Sequence, residues 1–560
     1  MFIRPISCLI PDFVSVPTPN FKIVLVRAVV LGTFCTVFCT VFVTMVCAAD
    51  ELLPPADNAA QISGFLQDKW EAAEMQPAAA SSDRTFVRRA YLDLVGRIPT
   101  VGEASNYLAD GRSDKREQLV RVLLHSEDYV QHFADTFDTL LMGRGSSKDY
   151  DERIKHQWRA YLERVFRDNR PWNEVVNEIL LARPEKQEDR GAVWFLFERQ
   201  DKYQQIAEAV APAFFGVRIE CAQCHDHMMA AEIEQAHYWG LTAFFNRSKN
   251  VHTKNGPRVS ESAIGGFSDF ANLEGDSSPN VLTFLSAMQI EEARPKPDEK
   301  QDDSDDLYDT ASVEHDPRVP RFSRREKFVS EIAEDHPLIA RAFVNRVWAM
   351  LLGRGIVHPF DEMDSVHTPS HPELLDYLAE DFRKSNYDIR RLVNSIVLCR
   401  SYGLQSNRSD GMDDESLFAW GLERQLTAEQ FARSAQLAVR GKFQNDEPLI
   451  GKVRQTLTAV LPDESVTTIK DALFLTNNKA LNDFIKGSNL PDHLIPRLVA
   501  FDSNSQRAEL LFETVFCRSA TSAESGAVEV YLQGHDDTLT QRLQQVVWAM
   551  LTSAEFRFNH

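Results

Sequence analysis

Over most of this chain apolar residues recur three and four positions apart, and that helical period constrains its fold more than any other feature. Between Ile62 and about Lys249 the signals are those of amphipathic helices. Leu119, Val120, Leu123 and Leu124 share one face behind Asp114 and Glu117, placed as an N-cap and its N3 partner. Pro171-Trp172 opens another helix, with Val175, Val176, Ile179 and Leu180 at helical spacing. Pro337 to Leu352 reads as a helix closed by Gly353, striped by Ile339, Phe343, Val347, Met350 and Leu351. Ser370 to Glu373 and Thr427 to Gln430 have the spacing of capping boxes, the second helix closing at Gly441. Alternating runs long enough for a large sheet are scarce, and no fixed-period repeat is present. The expectation is a mainly α protein of two helical regions with little sheet.

Residues 295–321 break this pattern, with seven acids between Asp298 and Asp309 and almost no apolar side chains. Self-repulsion and lack of buriable surface predict a disordered acidic linker, cut first by proteases to leave pieces of roughly residues 60–295 and 320–560. The run lacks the glycine and terminal glutamate of an EF-hand loop, which argues against calcium. The organisation read from the sequence is a leader at 1–49, a first domain at 60–250, a connecting segment at 251–294, the linker at 295–321 and a second helical domain at 322–560. A chain of 560 residues is too long for one ordinary core, in keeping with that division.

Residues 28–49 carry no charge, follow Arg4, Lys22 and Arg27, and end in Val46-Cys47-Ala48-Ala49. Basic start, apolar run and small-residue end read as a secretory signal; 22 residues also suffice for an uncleaved membrane anchor. Either reading exports the bulk of the chain to a periplasmic or extracellular space. Without residues 1–49 the chain has 58 bases against 81 acids, a net charge of −23. So acidic a chain repels phosphate backbones and anionic lipid, which disfavours nucleic-acid partners and leaves the leader as the only membrane contact.

Outside the leader only Cys221, Cys224, Cys399 and Cys517 remain, too few for a disulfide-built scaffold. Attention falls on Cys221-Ala-Gln-Cys224-His225-Asp226-His227-Met228-Met229. A two-residue spacer lets two thiols reach the two vinyl groups of one haem, with the next residue, His225, as axial ligand; such attachment happens outside the cytoplasm. Zinc or iron held by Cys221, Cys224, His225, His227 and His237 is an alternative, although seven residues are cramped for four tetrahedral ligands. A redox dithiol or a structural disulfide is another. His227 and Met228 sit too close along the chain to reach a haem's opposite face; His237, on an aromatic helix, is a core-edge histidine or a sixth ligand. A metal-dependent hydrolase would need a base such as Asp226 or Glu232.

In the second region Arg341, Asn345 and Arg346 interrupt an apolar helix and form a possible polar site with Asp361. Buried arginines more often pair with nearby acids, here Asp361, Glu362 or Asp364. No glycine-rich phosphate loop, nucleophile elbow or zinc-protease helix motif is present.

Several of these residues carry a family resemblance. Arg88-Arg89-Ala-Tyr91-Leu-Asp93-Leu, Pro99-Thr100, the Cys221 to His227 motif and Tyr238-Trp239-Gly240 with Phe244-Phe245 fill the first half. His336-Pro337, Arg341, Asn345-Arg346-Val-Trp348, Gly353-Arg354-Gly355, Ser370-His371-Pro372-Glu373 and Ser553-Ala-Glu555-Phe556 to His560 fill the second. The chain resembles exported proteins typical of planctomycete bacteria that join the cytochrome-like domain of unknown function 1549 to domain of unknown function 1553. That resemblance implies an exported redox protein with c-type haem on Cys221, Cys224 and His225, and an unidentified electron-transfer partner. The alternative is an extracytoplasmic binding or scaffold protein, linked to polysaccharide breakdown, whose Cys/His loop is structural or holds a metal. Met228-Met229 departs from the Pro-Phe usual in relatives and offers a sulfur ligand instead.

Overall fold

The computed structural model describes residues 52–560 except 286–287, 297, 310–316, 335, 409–411, 444–447, 456, 458–460, 462–478 and 535. The leader lies outside them. Helices dominate: α1 (Pro55–Ala72), α2 (Asp83–Val95), α3 (Glu127–Met142), α4 (Trp158–Arg167), α5 (Trp172–Leu181) and α6 (Gln235–Phe245) come first. Two antiparallel pairs follow, β1 (Ser248–Thr253) with β2 (Gly256–Glu261) and β3 (Asp269–Ala271) with β4 (Ser277–Pro279). Then come α7 (Pro337–Leu352), α8 (Pro372–Lys384), α9 (Ile389–Val397), the short β5 (Arg424–Gln425), α10 (Ala428–Arg440), α11 (Leu539–Thr552) and β6 (Phe558–Asn559), which pairs with β5.

Local chemistry sets many of these ends. α7 starts at His336, whose Nδ1 accepts from Leu338 N, and stops at Gly353 in the left-handed region (φ +87°). The Thr427–Gln430 capping box forms as expected, and α10 closes at Gly441 (φ +72°). Two caps differ from expectation. Asp114 precedes its helix but makes no cap bond, because its carboxylate accepts from the Gln118 side chain at 2.8 Å. The Ser370 hydroxyl lies 3.2 Å from Ile356 O and 3.0 Å from His371 Nδ1, so α8 starts one residue later, at His371, with no side-chain cap.

The core is aromatic and crosses the sequence. The ring of Phe343 on α7 lies 5.6 Å from Phe137 of α3, 4.5 Å from Trp172 of α5 and 5.0 Å from Phe382 of α8, centroid to centroid. Trp70, Trp158, Trp172 and Trp348 are fully buried in one hydrophobic cluster running from Ala59 to Trp420. A second cluster gathers α10, α11 and the other C-terminal helices, with Leu92 and Ile98 contributed from the first half. Residues on both sides of the acidic run therefore share the first cluster, and Leu53–His560 form one compact unit.

Among its described residues the acidic run holds one short helical turn, Asp305–Leu307. Contacts with the preceding segment anchor it, Gly265 N donating to Gln301 Oε1 at 2.8 Å and Ala263 N to Tyr308 OH at 3.0 Å. Tyr308 is buried and bridges to Pro320, and its hydroxyl donates to Asp303 at 2.5 Å. The Arg318 guanidinium lies 3.8 Å from the Tyr308 ring centroid and pairs with Asp303 and Asp305, relieving part of the acid–acid repulsion.

Helix α2 joins the halves. Asp93, 4% exposed, accepts Arg424 Nη1 and Nη2 at 2.7 and 2.8 Å, Tyr402 OH at 2.8 Å and Asn559 Nδ2 at 2.8 Å. On the same helix Arg89 donates to Tyr402 O and Leu404 O, and Arg88 to Glu555 O and Phe556 O. The Asp93 carboxylate is met in full by its partners, the condition under which burying it is tolerable, whereas Arg88 Nε and Nη1, Arg89 Nη2 and Arg424 Nε are buried without one among the described residues. Cleaving the chain after the exposed Lys300 should accordingly leave fragments that co-elute in gel filtration without denaturant. Elution as two separate particles would mean that the shared core does not hold the halves together.

Candidate functional site

After a buried π-helical turn at Ala211–Phe215, Gly216 (φ +65°) reverses the chain and a 3₁₀ turn spans Glu220–Gln223. Cys221 lies within that turn and Cys224 caps its end. Ala222 between them is buried, whereas both thiols are exposed and unbonded. His225 is half-buried, and its Nδ1 lies 2.7 Å from the carbonyl of Asp226. A carbonyl only accepts, so Nδ1 carries the proton and Nε2 keeps its lone pair, the tautomer of an Nε2 metal ligand.

The remaining polar groups of the loop bind its own backbone or its neighbours. Asp226 Oδ1 accepts the N–H of Gln235 at the start of α6, at 2.8 Å. His227 Nδ1 accepts from Ala230 N at 2.9 Å, and His237 Nδ1 from Glu234 N at 3.2 Å in a reciprocal cap. In the neutral rings those bonds put the proton of both histidines on Nε2. His237 is buried, the core-edge role expected of it. Glu232 accepts from Ser365 N at 2.5 Å and Ser365 Oγ at 2.7 Å. Partial burial works against its charge, but hydrogen bonds from its own backbone and from Ser365 hold its carboxyl below the ordinary range. Among the described residues no three His, Cys, Asp or Glu side chains are grouped to hold a metal ion. Met228 and Met229 are 86% and 73% exposed, an apolar sulfur-bearing surface directly beside His225.

The second half supports this loop. Met363 N donates to Gly216 O at 2.8 Å, Asp361 accepts Arg218 at 3.0 and 3.1 Å, and Ser365 holds Glu232. Asp361 therefore belongs to the Cys/His loop. Arg341 pairs with Asp376 of α8, outside the acids 361–364. Asn345 binds Val357 N and O at 2.9 Å and Phe360 O at 3.1 Å. Arg346 donates to Ala213 O and Pro212 O at 2.8 and 2.7 Å, and burial lowers its pKa to about 10. Arg341 and Asn345 thus serve separate contacts, whereas the charge of Asp361 still acts on Arg346, against the effect of burial.

Two family models match separate parts of the chain. Residues 61–250 match the family model PSCyt2, a protein of unknown function (DUF1549). Residues 324–456 match PSD1, a protein of unknown function (DUF1553). The two matches follow one another in that order along the chain. No curated protein and no solved structure matches the chain. The PSCyt2 region carries the Cys/His loop and α2, and the PSD1 region carries the segment that supports the loop. Sequence reasoning missed the Asp93 junction, although Arg88, Arg89 and Asp93 among the apolar residues from Phe86 to Val95 are a readable signal of buried polar pairing.

Thiol chemistry checks the site directly. Burial pushes the pKa of Cys399 and Cys517 up to about 11, so at pH 8 both are protonated as well as inaccessible. A chain starting at Leu52 and made without haem should present two rapidly reacting thiols to Ellman's reagent when folded and four in denaturant. Replacing Cys221 and Cys224 by serine should remove both fast ones; fast labelling that survived would misplace the exposed pair.

Proposed function

We propose that this protein is an extracytoplasmic redox protein carrying a covalent c-type haem, with Cys221 and Cys224 as thioether anchors and His225 as axial ligand. One observation carries the reading: two exposed free thiols, Cys221 within a 3₁₀ turn and Cys224 at its end, followed at once by a half-buried imidazole whose Nδ1 faces a carbonyl. The donor set fits the group in kind and order. When bound, haem supplies one-electron exchange. The chain's own part is to hold the turn and to orient His225 through its Nδ1–H. Because Cys221 and Cys224 are exposed, electron exchange with a partner takes place at the surface. Export through the charge-free leader places the thiols where attachment occurs. Met228 supplies, with Met229, an apolar surface for the ring.

A second reading has its own support. Asp226, His227, Glu232 and His237 all accept backbone N–H groups around the loop, as in a loop built for structure. In that reading the protein is an extracytoplasmic binding or scaffold protein, one possible setting being polysaccharide breakdown, and Cys221, Cys224 and His225 hold zinc or iron or simply brace the turn.

Protein matured in a host that attaches c-type haem separates the two. The redox reading predicts a Soret-absorbing band that survives denaturation, weakened or abolished by Cys221→Ala or Cys224→Ala. His225→Ala should keep the pigment but alter its spectrum by loss of the axial nitrogen. Metal that chelators remove, with no porphyrin absorption, would replace haem with the second reading.

A further inference from the structure

A chamber of about 780 Å³ opens where the two family regions meet, lined by His132 of α3, Arg354 after α7, Ser406, Trp420 and the Asp93–Arg424 pair. That volume suits a small-molecule site. Asp93 is fully occupied by its own partners, so the chamber's free polar groups lie elsewhere. Arg354 is partly buried and, among the described residues, makes no ion pair or hydrogen bond. In a chain with 82 acids for 61 bases an unpaired, partly buried arginine is unexpected. Its backbone is narrowly specified. Gly353 is left-handed (φ +87°), and a Cβ on Gly355 would come within 2.1 Å of Val357 O.

His132 provides an independent sign. It is 3% exposed and its Nδ1, packed where a Cβ on Gly96 would come within 2.5 Å, has no partner. Burial lowers its pKa to about 4, so it is neutral near pH 7 and keeps a single N–H to offer. The Ser406 hydroxyl is also buried without a partner. With Nδ1 enclosed against Gly96, the atom His132 has left for the chamber it lines is Nε2, and a neutral ring with its proton there donates to a ligand that accepts.

We propose that the chamber binds a small oxyanion, a carboxylate or phosphate group, with Arg354 as its charged anchor and His132 as a neutral hydrogen-bond donor. A planar guanidinium takes either group bidentately. Glu415 and Glu423, exposed along the lining, repel polyanions and restrict the ligand to a small one. The site is independent of the Cys/His loop and of whatever that loop carries.

The test is the unfolding temperature of the full chain, titrated with inorganic phosphate and with acetate in an oxyanion-free buffer, sodium chloride serving as the ionic-strength control. A saturable rise with phosphate or with acetate, absent with chloride, is expected, and the effective probe names the group. Arg354→Gln should unfold at the same temperature as the wild type without ligand and bind about tenfold or more weakly. Arg354→Lys, which keeps the charge but not the fork, should fall between. No saturable rise with either probe, or an undiminished one in Arg354→Gln, overturns the proposal.

Discussion

One carboxylate, Asp93, sets how the two halves of this protein meet. It is buried and accepts four hydrogen bonds, from both Arg424 Nη atoms, Tyr402 and Asn559, drawing together α2, the strand pair β5–β6 and the segment before them. A buried ion pair of this kind adds little net stability over an apolar replacement, but losing one partner strands a charge in the core and costs about 3–5 kcal/mol. Its consequence is geometric. β6 holds the last residues of the chain against α2, so the C-terminus is fixed by a helix more than 460 residues earlier. A second set of buried pairs runs alongside: Asp135 on α3 with Arg433 of α10, and Glu429 of α10 with Arg144 and Arg454. Burial alone would raise the Asp135 pKa; Arg159, Arg433 and Arg454 hold it far below the usual range instead.

Both functional features inherit their form from this joining. The chamber at the family boundary has Asp93 and Arg424 in its wall. The Cys/His loop rests on the 361–365 segment through Arg218–Asp361, Gly216–Met363 and Glu232–Ser365. Neither feature is complete in one family region alone.

The sequence made visible what depends on neighbours in the chain. Helix α7 with its glycine stop and the Thr427 capping box were legible because period and cap are local signals. Asp114 and Ser370 misled because each side chain turns to a competing partner, Asp114 accepting from Gln118 and Ser370 donating to Ile356 O. The Cys221–His225 motif stood out as a spacing, but the 3₁₀ turn and the His225 tautomer required coordinates. Arg341 was expected among the acids 361–364 and found Asp376 on α8, since the packing of adjacent helices decides that choice. The Asp93 junction was illegible as a pairing because its partners lie 309 to 466 residues away.

A double-mutant cycle between Asp93 and Arg424, read by urea unfolding, tests the joining of the halves most directly. If the pair locks α2 to the second half, Asp93→Ala and Arg424→Ala each destabilise strongly, and the double variant loses less than their sum by about 2–3 kcal/mol. Losses that simply add would contradict that account, because they would show that the two side chains act without each other.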